Sequence, residues 1–196
     1  MIILVASVVL GTGVVIYGTS LFQTSGQQEV IATQGVKVWV NSTDSAGVAW
    51  GAVGVRNTGD KLVSVDNIVV RGAVVPYTNW YVDKDQIAVT SENFQSQFIE
   101  NNVDNAGQMK NSTTVTSACN TAVAGIQMDF DGAGTKPTLC LIKSVGPSAL
   151  SPGEKMIIYF RVTNAIMSAV DSGSATSVGV YAGKTGAPTA ITVGNF

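Results

Sequence analysis

A chain of 196 residues in which 45% of side chains are hydrophobic and only 12% charged carries about half the charge of an average soluble domain, so part of it avoids water. A net charge of −2 and a pI near 4.9 leave no Lys/Arg footprint for nucleic acid or an anionic membrane surface. The absence of histidine removes Ser-His-Asp triads, Cys-His pairs and histidine zinc sites, so the chain is not expected to be an enzyme, and no cofactor or metal is expected.

The first ionisable side chain is Glu29, and residues 1–22 form one apolar run. Ile2, Ile3, Leu4, Val5, Val8, Val9, Leu10, Val14, Val15 and Ile16 cover every face of a helix, which marks a segment buried on all sides. About 20 helical residues span the roughly 30 Å hydrocarbon core of a bilayer. Exposing ten such side chains would cost about 15 to 30 kcal/mol, more than the roughly 5 to 15 kcal/mol that holds a domain folded. Beyond Phe22, the polar residues 23–29 and the apolar step Val30-Ile31-Ala32 read as a continued, kinked helix that stops at Gly35. A hydrophobic helix is therefore expected over residues 1–35.

Four readings compete for it. A secretory signal peptide lacks a positive n-region and an A-x-A-like exit. A simple membrane anchor has its nearest positive residues, Lys37 and Lys61, on the C-terminal side, which would leave the large domain in the cytoplasm. A buried core helix is the third. The fourth, which the sequence favours, is a helix laid bare by removal of a basic leader. Ser7, Gly11 and Gly18 fall on one stripe of it, and small residues let backbones approach closely where helices pack.

From residue 36 the period changes to two. Strands are expected at 36–41, 49–57, 62–71, 80–82, 86–90, 113–117, 138–144, 156–163, 177–181 and 190–193, with a short helix at 94–99. Many short strands and no βαβ alternation indicate an antiparallel β-sandwich over residues 36–196 and exclude a parallel nucleotide-binding sheet.

Two stretches stand out: Val55-Arg56-Asn57-Thr58-Gly59-Asp60, before an alternating strand, and Leu150-Ser151-Pro152-Gly153-Glu154, before another. Asn-x-Gly closes one hairpin and Pro-Gly presets a second turn. With the N-terminal segment, these resemble the archaeal type IV pilin superfamily, meaning archaellins (archaeal flagellins) and adhesion pilins. Val5 stands where bacterial pilins typically have glutamate, which points to the archaeal branch. The resemblance implies an α+β fold, a long N-terminal hydrophobic helix followed by an immunoglobulin-like antiparallel β-sandwich. It also implies an extracellular homopolymeric filament, for motility or adhesion, built by an assembly machinery from membrane-inserted precursors whose helices bundle in the core. The alternative is a membrane-anchored extracellular β-sandwich that binds the cell envelope or a filament base.

Cys119 and Cys140 are the only cysteines and lie outside any metal spacing. A disulfide between them would contribute about 3 kcal/mol and persist only in an oxidising compartment; two unpaired buried thiols are the alternative. Asn41-Ser42-Thr43 and Asn111-Ser112-Thr113 make Asn41 and Asn111 candidate glycan acceptors. Gly183-Lys184-Thr185 lacks the first glycine of a phosphate loop and reads as a hairpin turn. Asp129 with Asp131, and Asp83 with Asp85, read as solvated acidic turns rather than calcium loops.

Overall fold

A computed structural model describes residues 28–42, 49–89, 125–129, 135 and 137–195. Among them are twelve strands: β1 (Ile31–Val40), β2 (Ala49–Asn57), β3 (Val63–Val70), β4 (Ala73–Val75), β5 (Trp80–Asp83), β6 (Gly125–Met128), β7 (Leu139–Lys143), β8 (Ser148–Leu150), β9 (Lys155–Val162), β10 (Ala175–Ala182), β11 (Thr185–Thr192) and β12 (Gly194–Asn195). One sheet has seven strands in the order β12-β1-β2-β9-β5-β7-β6; the other runs β11-β10-β3-β4, with β8 also paired to β3. All described pairings are antiparallel except β1 with β12.

This corrects the expected α+β class. The described residues are β-rich, and their only helical turns are the three-residue 3-10 turns Tyr77–Asn79 and Ala169–Asp171. Residues 31–35, expected as the end of a long helix, belong to β1. Gly35 does not terminate a helix: its φ of 65° sits at a bulge where the β1–β2 register shifts between Gln34 and Lys37. A left-handed glycine serves equally as a helix terminator and as a bulge residue, so the local signal was ambiguous. Residues 1–27 lie outside the described residues.

The sheets face each other across one core. Val53, Ile158 and Phe160 from the seven-stranded sheet meet Ile68, Val178 and Val180 from the other, and all six are buried. Trp80 is fully buried with them; its Nε1 donates to Val75 O at 3.1 Å, and its ring meets Tyr77 edge-on at 4.8 Å. The seven-stranded sheet is also buried on its far face, where Trp39, Trp50, Leu139, Leu141, Ile157 and Tyr159 form a second apolar cluster. That is why β2 shows an almost unbroken buried run instead of alternation.

Residues 86–90, expected as a strand, instead form a turn through 86–88. The cause is the pair of aspartates. Asp83 Oδ1 accepts the N–H of Asp85 at 2.8 Å and Asp85 Oδ1 that of Ile87 at 3.0 Å, so side chains take the donors a ladder would need.

At one end of the sandwich, Arg71 and Gly72 both have positive φ in the β3–β4 hairpin, and Arg71 is tied at 2.7 Å to Asp171. That guanidinium, helped by the N–H of Ser168, holds the Asp171 carboxyl below its usual value of 3.8. A lowered carboxylate pKa stabilises above the unfolded value and stops doing so as pH falls through the folded one. Both partners touch solvent, so Arg71→Met is expected to cost under about 1 kcal/mol at neutral pH. The difference from wild type should vanish in denaturant titrations run well below pH 3.8; a difference that persists there would assign the effect to packing alone.

Candidate functional site

The two turn motifs of the sequence, far apart in the chain, meet at the end of the sandwich opposite Arg71. Asn57 ends β2 and is fully buried. Its Nδ2 donates to Lys61 O at 2.7 Å and to Leu150 O at 3.0 Å, and its Oδ1 accepts the N–H of Gly59 at 3.0 Å. Its backbone N–H donates to Glu154 O, and its carbonyl accepts from Gly153 N. Glu154 in turn accepts the N–H of Ser151 at 2.7 Å, closing the Ser-Pro-Gly-Glu turn. One side chain thus joins the Asn-x-Gly turn to the Leu-x-Pro-Gly-Glu turn.

The same knot holds the entry of the chain. Val30 O accepts hydrogen bonds from the N–H groups of Thr58 (2.9 Å) and Gly59 (3.1 Å). Thr58 Oγ1 adds a longer bond to the same carbonyl at 3.4 Å. Glu29 Oε2 accepts from Lys184 N at 3.3 Å, across the β10–β11 hairpin that Gly183 and Lys184 close. Residues 29 and 30 are therefore gripped from two sides by turns of both sheets.

The other sequence candidates lie apart from this junction. Cys140 is disulfide-bonded on β7; Cys119, the only other cysteine, lies outside the described residues, as do Ser7, Gly11, Gly18 and Asn111. Asn41 follows β1 at the far end, half-buried, and Ser42 N donates to Asn195 Oδ1 at 2.9 Å, so this sequon abuts the C-terminal strand. Asp83 is buried, and its Oδ2 accepts the N–H of Cys140 at 2.7 Å. Burial pushes its carboxyl above the usual value, while the N–H groups of Asp85 and Cys140 pull the other way. Asp83 and Asp85 thus serve as backbone acceptors. Among the described residues, no group of three His, Cys, Asp or Glu side chains is placed to hold a metal ion, and no helix is long and apolar enough to cross a membrane.

An open groove of about 540 Å³ lies beside β7 and the β7–β8 connection, lined by Val82, Cys140, Ile142 and Val145 among others. Lys84, which also lines it, donates from Nζ to Ala149 O at 3.4 Å. Sequence reading missed both the groove and the junction. The junction's signal was present in Asn57 and Gly59, but a turn motif does not reveal which other turn it docks against. No protein-family model and no curated protein matches the chain.

Proposed function

We propose that the chain is the structural subunit of an extracellular filament of the archaeal pilin type, serving motility or adhesion. The apolar segment 1–22 packs against further copies of itself, and the β-sandwich forms the outer wall. The junction carries this reading. A segment with no ionisable side chain before Glu29 enters the sandwich where Val30 and Glu29 are held by turns of both sheets, which suits a subunit whose wall must keep a set orientation to its core. The disulfide at Cys140 fits an oxidising location outside the cell. The partners are other copies and an assembly machinery, with the membrane involved only before assembly.

Negative-stain microscopy of purified native material is expected to show filaments. Gly11→Leu should shorten or abolish them while the β-domain stays folded, because overpacking costs about 1 to 3 kcal/mol per site and a filament repeats that cost in every subunit. Native material without filaments would favour the anchored binding module instead. Wild-type filament yield from Gly11→Leu would take Gly11 out of the packing contact.

A further inference from the structure

One buried carboxylate, that of Asp83, has no positive partner among the described residues. Asp83 is the last residue of β5, whose ladder with β7 runs through Tyr81–Lys143 and Val82–Ile142 and ends there. Past that point the side chain takes over. Its Oδ2 accepts the N–H of Cys140 on β7 and its Oδ1 that of Asp85 in the following turn, so a single carboxylate ties the turn to the strand. The charged side chains on the elements around it are Lys84 and Asp85 in the turn, Lys143 on β7, Lys155 on β9 and Asp129 after β6. None of them makes an ion pair with Asp83, and Asp85 repels it.

We propose that Asp83 is a proton-operated latch on the rim of the groove: its carboxylate holds the start of the turn, Lys84 and Asp85, against β7, and its carboxylic acid lets the turn go while keeping the strand. A carboxylate accepts at both oxygens, one for each N–H. A carboxylic acid has one good acceptor, its carbonyl oxygen, because the other oxygen carries the proton and donates. One N–H must then be given up. The choice falls on Asp85, which is exposed, so that water replaces the lost acceptor. Cys140 is half-buried on β7 between β5 and β6, where an unpaired N–H is more costly. Gln86 keeps the middle of the turn on β9, donating from Nε2 to Lys155 O at 2.8 Å and accepting the N–H of Lys155 at 3.1 Å. The movement is therefore confined to Lys84 and Asp85, both of which line the groove. Burial raises the Asp83 carboxyl above 3.8 against the opposing pull of the two N–H groups, so the folded chain takes up this proton more readily than the unfolded chain. Asp83 thus adds stability as the pH falls from above its folded value towards 3.8.

The test is amide exchange of the full chain over a series of pH values, each rate corrected for the intrinsic pH dependence of exchange. On acidification towards pH 3.8 the protection of Asp85 is expected to fall about tenfold, as for one lost hydrogen bond to a charged group, while that of Cys140 holds. Asp83→Asn is neutral and has one acceptor oxygen, so it should leave Asp85 weakly protected and Cys140 protected at every pH. The thermal midpoint of the wild type, less that of Asp83→Asn, should grow as the pH falls. Asp85→Asn keeps an acceptor for the N–H of Ile87 and removes the repelling charge, so the loss of protection should move to lower pH. Constant protection of Asp85 across the series would overturn the latch, and a fall at Cys140 with Asp85 unchanged would overturn the turn as its moving part. Both of those results are read from the wild type alone and hold whether or not a variant folds. An undiminished pH response in Asp83→Asn would overturn Asp83 as the titrating group.

Discussion

Asn57→Ala is expected to lower the unfolding free energy by about 3 kcal/mol, from the cost of leaving buried polar groups without partners, roughly 1 to 3 kcal/mol each. The substitution strands Lys61 O and Leu150 O, which lose the Nδ2 donor, while Gly59 N keeps Val30 O. Against a total of about 5 to 15 kcal/mol, that is a large share. Asn57→Asp is expected to do at least as much damage despite its matching size. It preserves the acceptor for Gly59 but faces two carbonyl oxygens with a carboxylate oxygen. Denaturant unfolding followed by tryptophan fluorescence measures both. An aspartate variant as stable as wild type would show that the two donations contribute little.

Gly59→Ala should act more locally and more directly on function. A Cβ at Gly59 would stand 2.2 Å from Gln28 O and 2.8 Å from Val30 N, both backbone atoms, so either the turn or the entering chain must move. Overpacking of this kind costs about 1 to 3 kcal/mol. The cheaper response is to release residues 28–30, which breaks the hydrogen bonds from Thr58 and residue 59 to Val30 O. Amide exchange is expected to accelerate at those two positions while Val53 and Ile158 in the core stay protected. Unchanged exchange at Thr58 would mean that the junction absorbs the methyl group without opening. Under the filament reading the variant should also form fewer or shorter filaments, because wall and core lose their set orientation.

Legibility in the sequence followed physical reach. The expected strand at 49–57 coincides with β2, and those at 62–71, 138–144 and 156–163 lie within a residue of β3, β7 and β9 at each end; β3 and β9 are rich in β-branched or aromatic residues, and β2 and β7 are short apolar runs that end in a polar residue. Strands β4, β8 and β12 have two or three residues, too few to show a period. The start of β1 reads as helix in the sequence because Ile31-Ala32-Thr33-Gln34 has no alternation, and its strand conformation is held by pairing with Gly54 to Asn57, a long-range effect. The turn at 86–88 was hidden by its composition, since Ile87, Ala88 and Val89 suit a strand and only the carboxylates before them divert the backbone. The burial of both faces of the seven-stranded sheet follows from tertiary packing alone. At the junction, both turns could be read locally, but the bond from Asn57 to Leu150 spans 93 positions in the chain.

The placement of β1 has a mechanical consequence. The chain enters at Ile31 and runs the length of the sheet, with seven residues of β1 matched to β2 and its last two to β12, which lies parallel to it. A pull on the N-terminal segment along this axis tries to slide β1 lengthwise past its neighbours, so the rungs of the ladder strain together rather than parting one after another from an end. The hydrogen bonds to Val30 and Glu29 fix the chain to both sheets just before β1 begins. Under the filament reading, tension from the segment is met in shear, the direction in which a hydrogen-bonded ladder yields last.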